Sequence, residues 1–269
     1  MMSKKFILAA TAASAVALLF GEAFAQQSSI PQENAATARR LAQEAKTKPL
    51  IDAEKSRPRI GGYWRISAPI AALTTTEGKA PPLNAAGKKL FNQRAADKKA
   101  GKSPDPMDVC LPPGSPRSML VNQPFLLTQT PAKVTFFMQT RHVIRHVYLD
   151  GPLKPPAADD RLNLWEGISS GRWEGDTLIV ETGDFNGKQW LDDSGLPQSP
   201  DMKVTERFKR IDANTLEDVM TFEDAKYYAR PWSARVTFRA LPSTTLLIEE
   251  QCAEKLLEVP LVEYAPPKT

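Results

Sequence analysis

Residues 164–182, LWEGISSGRWEGDTLIVET, carry the clearest indication of the fold class. Gly175-Asp176 has the composition of a tight turn, because glycine accepts a positive φ and an aspartate side chain can bond its own backbone. A tryptophan-containing segment precedes this pair, and the run Thr-Leu-Ile-Val-Glu follows it. The pattern therefore predicts a β-hairpin over residues 171–181.

Strand-like segments separated by turns continue on both sides of this hairpin. In residues 232–241, apolar side chains alternate with Ser, Arg, Thr and Arg, and a period of two is typical of a strand with one buried face. Sequential hairpins of this kind predict a mainly β domain, an antiparallel meander closed or partly closed into a lipocalin-like barrel. The other predicted strands are residues 61–66, 134–138, 142–149, 204–211, 215–222 and 246–252.

The N-terminus has the composition of an export signal. Lys4 and Lys5 precede an apolar run, and Ala23-Phe24-Ala25 matches an A-x-A cleavage site. We expect cleavage after Ala25 and a periplasmic or secreted protein, with an uncleaved anchor as the alternative. No later segment is long and apolar enough to predict stable membrane insertion.

Three further segments complete the predicted domain organisation. Residues 26–60 form a helical N-terminal segment rich in helix-forming residues, and residues 61–269 form the barrel-like domain. A helix over residues 84–100 is inserted in that domain, with Asn84 as its N-cap. Residues 98–108 are polar and contain proline, which is typical of a flexible linker.

Composition excludes several function classes. The net charge is +4, with 35 basic and 31 acidic residues interspersed, so the chain lacks the basic patch of a nucleic-acid-binding protein. The only cysteines, Cys110 and Cys252, predict a disulfide in an oxidising compartment, with two separate thiols as the alternative. Two cysteines and two histidines without close spacing predict no metal site, and no cofactor-binding motif is present.

The pattern G-x-S-x-G occurs around Ser169. A nucleophilic serine in this motif sits on a sharp turn between a strand and a helix. Here a hairpin follows the serine, so the context predicts a loop with small residues rather than a hydrolase site.

Histidines and carboxylates on the predicted strands are candidates for an acid/base site. On a strand, His142 and His146 share one face with Tyr148, whereas Arg145 points to the other. Glu206 and Asp218 each fall between apolar residues on one face of a predicted strand. His146 with Glu206 or Asp218 would then form the catalytic set of an enzyme. The alternatives are solvent-facing histidines and buried ion pairs between the carboxylates and Arg145 or Arg230.

Aromatic residues and arginines predict a ligand-binding surface. Such side chains suit flat or anionic ligands at the rim of a pocket. The favoured function is therefore binding of a small, partly apolar molecule in the barrel interior or mouth. A cofactor-independent isomerase, lyase or hydrolase and a structural envelope protein are the alternatives. The predicted lining residues are Arg145, Tyr148, Trp173, Tyr228, Arg230 and Trp232.

Three segments together resemble a widespread group of secreted bacterial proteins of unassigned function. They are RHVYLDG at 145–151, GRWEGDTLIV at 171–180, and VTERF at 204–208 followed by ARPW at 229–232. The resemblance covers most of residues 61–252. In that group, histidines follow the D-G turn and the W-L-D segment, but here Lys154-Pro155 and Pro197-Gln198-Ser199 stand at those places.

Gly62-Tyr63-Trp64 resembles the G-x-W segment that opens lipocalin-like barrels. The resemblance implies that Trp64 closes one end of the barrel. It also implies that an arginine from a late strand, Arg235 or Arg239, packs on the indole ring.

Overall fold

A computed structural model describes residues 57–102, 105–149 and 162–252. The chain divides into two compact units, Met1–Lys55 and Ser56–Thr269, and all described residues belong to the second. The predicted signal peptide, almost all of the predicted N-terminal helical segment and Lys154-Pro155 lie outside the described residues.

The second unit is a closed barrel of nine strands in sequence order, which confirms the predicted mainly β fold. The last strand, β9, pairs with β1 and completes the ring. Every neighbouring pair is antiparallel except β4 and β5. The strands are β1 Gly62–Ile66, β2 Phe125–Gln129, β3 Lys133–Met138, β4 Ile144–Tyr148, β5 Ile168–Glu174, β6 Thr177–Gly183, β7 Lys203–Arg210, β8 Thr215–Glu223 and β9 Trp232–Leu241.

The predicted central hairpin is confirmed. Strands β5 and β6 pair from Ile168 opposite Gly183 to Glu174 opposite Thr177. Gly175 in the turn has a φ of +61°, a conformation that glycine adopts without steric cost.

The β4–β5 pair departs from the predicted antiparallel meander. Val147 lies opposite Ser169 and Tyr148 opposite Ser170, with the two strands parallel. Parallel neighbours cannot be joined by a tight turn, because the chain must first return to the starting end of the sheet. The turn residues that follow β4 in the sequence therefore do not indicate that β4 and β5 pair in parallel.

The predicted closing strand at residues 246–252 is wrong. These residues are irregular up to Gln251, and Leu246 and Ile248 are exposed. The edge of β1 is already occupied by β9, with Trp64 opposite Ala240 and Ile66 opposite Phe238. Without a free edge, the last described segment has no ladder to join.

Helical elements cover one end of the barrel. Helix α1, Ala85–Lys99, confirms the predicted insertion, and the Asn84 side chain caps it by accepting a hydrogen bond of 2.9 Å from the Gly87 backbone N–H. A 3-10 helix at Pro106–Val109, helix α2 at Arg117–Leu120 and a 3-10 helix at Thr140–His142 follow. No helix in the described parts of the chain is long and apolar enough to cross a bilayer.

Side chains from the barrel wall meet in a packed interior. Phe125 contacts Phe136 and Phe238, with ring centroids 6.0 and 5.3 Å apart. Phe136 also contacts Phe208, whose centroid lies at 5.5 Å. These strand residues are all buried, so the barrel interior is a core in the ordinary sense.

Trp64 is buried, as the G-x-W resemblance implies, but its arginine partner differs from the expected ones. The indole Nε1 donates a hydrogen bond of 2.9 Å to the Ile60 carbonyl. The guanidinium of Arg210, on β7, lies 5.4 Å from the ring centroid. Arg235 and Arg239 are exposed on β9, because they occupy the outward positions of its alternating pattern.

The predicted disulfide between Cys110 and Cys252 is present. It joins residues 142 positions apart and connects the end of the first 3-10 helix to the chain beyond β9. Such bridges are typical of proteins from oxidising compartments.

Candidate functional site

The two carboxylates predicted inside the barrel are both there. Glu206 and Asp218 are 0% exposed and point inward from β7 and β8. Glu206 forms a two-pronged ion pair with Arg145 of β4, in which Nη1 donates to Oε1 at 2.9 Å and Nη2 donates to Oε2. The buried ion pair, which was the alternative role for Glu206, is thus present.

Two further N–H groups of Arg145 bind hydroxyl groups. Nε donates to Ser169 Oγ at 3.1 Å, and Nη2 donates to Thr182 Oγ1 at 2.8 Å. Burial disfavours the charged form, but the Glu206 carboxylate offsets this effect and raises the pKa of Arg145 above its ordinary value. Ser169 lies within strand β5 rather than in the predicted loop, and it is followed by the β5–β6 hairpin and not by a helix.

The histidines do not meet these carboxylates. His146 lies on the outer face of β4, where its Nδ1 is 3.1 Å from Thr135 Oγ1. Burial, with a contribution from Lys133, lowers the pKa of His146. His142 precedes the strand, and its Nε2 accepts a hydrogen bond of 2.8 Å from the Glu250 backbone N–H. The structure therefore separates His146 from Glu206 and Asp218 by the barrel wall.

The predicted lining residues are spread over both faces of the barrel. Tyr148 is 39% exposed on the outer face of β4, opposite to the inward Arg145, and Arg230 is exposed in the β8–β9 loop. Trp173 is partly buried and packs against the core.

Tyr228 and Trp232 belong to the core at one barrel end. The Tyr228 hydroxyl donates a hydrogen bond of 2.9 Å to the Pro197 carbonyl. Trp232 stacks on Phe222, with ring centroids 4.4 Å apart. The six predicted lining residues therefore do not surround one cavity.

A cleft lies where the covering elements meet at this end of the barrel. Its volume is about 390 Å³. Its lining combines apolar and charged side chains, a combination that suits a small organic ligand. The lining residues are Pro69, Ile70, Ala71, Lys98, Asp105, Met107, Asp108, Arg117, Leu120, Val121, Asn122 and Asp193.

Arg117 is the centre of the charged side of the cleft. Its Nη1 and Nη2 donate to the two Asp105 carboxylate oxygens at 2.8 and 2.7 Å. Its Nε and Nη2 donate to Asp193 Oδ1 at 3.1 and 2.7 Å. Burial disfavours the guanidinium charge, but the Asp105 contacts offset this effect and raise the pKa of Arg117.

A disulfide and a hydrogen bond fix the segment that contains Met107. The disulfide anchors Cys110 just after the 3-10 helix, and Arg141 Nη2 donates to the Met107 carbonyl at 2.8 Å. Arg141 is in turn ion-paired with Glu250, two positions before Cys252. The chain after β9 therefore supports the cleft from outside the barrel.

The sequence patterns did not predict this cleft. The predicted flexible linker contains Asp105, which is buried and caps the 3-10 helix by accepting from Met107 N–H at 3.0 Å. The Asp105-Pro106 pair is a helix-start signal that could have indicated order at this point. Arg117 stands outside every predicted strand, so no periodicity marked it.

Among the described residues, no three His, Cys, Asp or Glu side chains group closely enough to hold a metal ion. No protein-family model matches this chain, and a search of curated proteins finds no match. Function is therefore inferred from the barrel and the cleft themselves.

Proposed function

We propose that this protein is an exported binding protein for a small molecule that carries a positive charge on a partly apolar body. The observation that carries the proposal is the cleft of about 390 Å³ at the covered end of the barrel. Pockets for small ligands usually have volumes of roughly 300–1,000 Å³. Because side chains fill the barrel interior, we expect the ligand site at the mouth of the barrel.

Charge favours a cationic ligand. The cleft is lined by three carboxylates, Asp105, Asp108 and Asp193, against two cations, Lys98 and Arg117. The Arg117 guanidinium is engaged by Asp105 and Asp193, so an anion would have to displace charge-assisted hydrogen bonds. Arg117 contacts Asp193 at Oδ1, and the Asp193 side chain is 57% exposed, so an added ammonium group can approach this carboxylate without displacing the Arg117 contacts.

Apolar side chains of the cleft would contact the apolar body of the ligand. Ile70, Met107, Leu120 and Val121 line the cleft, and Leu120 is buried in the barrel core behind it. Burying apolar ligand surface on such a wall contributes roughly 25 cal/mol per Å² before the costs of association.

Three matched probes test the preference for positive charge. Benzylamine, benzyl alcohol and benzoate share a ring and differ in charge at the attached group. We expect benzylamine to bind most tightly and to shift the amide NMR resonances of Ile70 and Val121 in the disulfide-bonded protein. Tightest binding of benzoate, or shifts confined to other parts of the barrel, would contradict the proposal.

Asp193→Asn tests the same site by removing one carboxylate charge. Asp193 is 57% exposed, so the substitution should leave the fold intact. We expect benzylamine affinity to fall about twofold to fivefold, in keeping with the loss of up to about 1 kcal/mol from an exposed ion pair. Asp176→Asn is the control, since Asp176 is 61% exposed, pairs with Lys209 and lies outside the cleft. Equal affinities for the two variants would contradict the assignment.

A further inference from the structure

Among the described residues, acidic side chains outnumber basic ones in the barrel interior. Glu206 and Asp218 are fully buried there, and Arg145 is the cation that faces them. Both guanidinium Nη atoms of Arg145 bind Glu206, so the positive charge is balanced by that carboxylate. Within the part of the chain that the structure describes, Asp218 is left as a second acid without a cation of its own.

The hydrogen bonds of Asp218 are weak for a carboxylate. Its Oδ1 accepts from the Arg207 backbone N–H at 3.2 Å, and Oδ2 has no hydrogen-bond partner among the described residues. A buried ionised carboxylate needs a cation or several donors, because leaving water otherwise costs several kcal/mol. Accepting a proton removes that cost.

The strands around Asp218 bring one cation and further acids close to it. Strand β7 contributes Glu206, strand β4 contributes Arg145, and Glu217 is its neighbour on β8. Glu166, before β5, interacts with Arg145 and Glu206 and adds a further acid. The inward positions of β9 are Trp232, Ala234, Val236 and Phe238, none of which titrates in this range.

We infer that the barrel interior is a proton-binding site, in which Asp218 is held as a neutral carboxylic acid at neutral pH and folding is coupled to that proton. Both acids are fully buried, both Nη atoms of Arg145 already bind Glu206, and Asp218 Oδ2 has no hydrogen-bond partner in the described ranges. Burial raises the pKa of Asp218 well above its ordinary value, and the Glu206 charge raises it further.

A proton bound to Asp218 only in the folded state makes the folding stability depend on pH. An unfolded aspartate has a pKa of about 3.9, so above that pH the folded state binds more protons than the unfolded state. Stability therefore falls as pH rises, by about tenfold in the folding equilibrium constant per pH unit for each proton, until the folded carboxyl ionises.

Urea unfolding of the disulfide-bonded protein between about pH 5 and about pH 9 tests this coupling. The amide side chain introduced by Asp218→Asn is neutral at every pH, so the stability of this variant should lack the part of the decline that comes from Asp218. Until the folded wild-type carboxyl ionises, the folding equilibrium constant of Asp218→Asn should rise relative to that of the wild type by about tenfold per pH unit. Glu223→Gln, an exposed change on the same strand, should follow the wild-type profile. Parallel profiles for the wild type and Asp218→Asn would overturn the inference.

Carboxyl NMR of the wild type provides a measurement that needs no folded variant. With ¹³C-labelled aspartate, the assigned Asp218 carboxyl should show the chemical shift of a protonated acid at pH 7, whereas exposed Asp176 shows that of an ionised one. An ionised shift for Asp218 at neutral pH would overturn the inference even if Asp218→Asn does not fold.

Discussion

Arg145 supplies the positive charge that balances the Glu206 carboxylate inside this barrel. Its guanidinium binds Glu206, Ser169 and Thr182, which reach it from strands β7, β5 and β6. A buried ion pair adds little net stability compared with a well-packed apolar core, because both charges lose their hydration. Removing one partner is far more costly, since the other charge then stays buried without compensation.

Arg145→Met should therefore destabilise the fold by about 3–5 kcal/mol, since the Glu206 carboxylate loses its counter-charge. Urea unfolding at neutral pH measures the change. Adding Glu206→Leu should recover most of the loss, because both charges are then gone. If the double variant is no more stable than Arg145→Met, the ion pair does not explain the cost.

Arg172→Met provides the matched control on the barrel surface. Arg172 and its partner Glu181 are both 55% exposed, with the contact at 2.6 Å. Exposed pairs contribute about 0–1 kcal/mol, so this variant should unfold close to the wild type.

The first turn of helix α1 is attached to the barrel by polar and backbone contacts, whereas further along the helix Phe91 packs against the core. Gly87 is its one buried residue, and the Asn84 side chain donates to the carbonyls of Ala225 and Lys226 at 3.2 and 3.1 Å. Asn84 N–H also donates to the Tyr227 carbonyl at 3.0 Å. The first turn of the helix is therefore fixed to the loop between β8 and β9.

Gly87→Ala should destabilise the protein by about 1–3 kcal/mol, although alanine is the better helix former. A Cβ at this position would lie 2.2 Å from the Tyr227 carbonyl oxygen and 2.9 Å from Leu83 Cδ2. Thermal unfolding measures the loss, and Lys88→Ala on the exposed side of the same turn should have almost no effect. A neutral or stabilising Gly87→Ala would show that the loop moves away easily.

The disulfide stabilises both the fold and the cleft. Cys110 and Cys252 are 142 positions apart, and the barrel strands β2 to β9 lie between them. A cross-link of this length restricts the unfolded chain strongly in the chain-entropy model. It also fixes the residues behind Met107, which lines the cleft.

Reduction should lower the free energy of unfolding by about 4–5 kcal/mol and weaken benzylamine binding. Unfolding and binding measured with and without reductant test both effects. A Cys110→Ser, Cys252→Ser double variant should match the reduced protein and show no further response to reductant. Unchanged binding after reduction would show that the cleft wall stays in place without the bridge.

Much of the fold could be predicted because it depends on local patterns. Alternation in β9 and the Gly175-Asp176 turn are enough to indicate a strand and a hairpin, because both patterns involve only neighbouring residues. The Asn84 cap and the pairing of the two cysteines were also predictable, since each follows from residue type and context. The strand predicted at 246–252 failed because pairing also needs a free edge.

The residues alone established an alternating, turn-rich chain with a buried acid on each of two strands. Their periodicity even separated Arg145 from His146 correctly, because neighbouring strand residues point to opposite faces. Tertiary structure decided which face became the interior, that β4 and β5 run parallel, and that Arg145 lies against Glu206. It also brought Asp105, Arg117 and Asp193 into one cleft. These contacts join residues far apart in the chain, so they depend on how the barrel closes, and no local pattern records that closure.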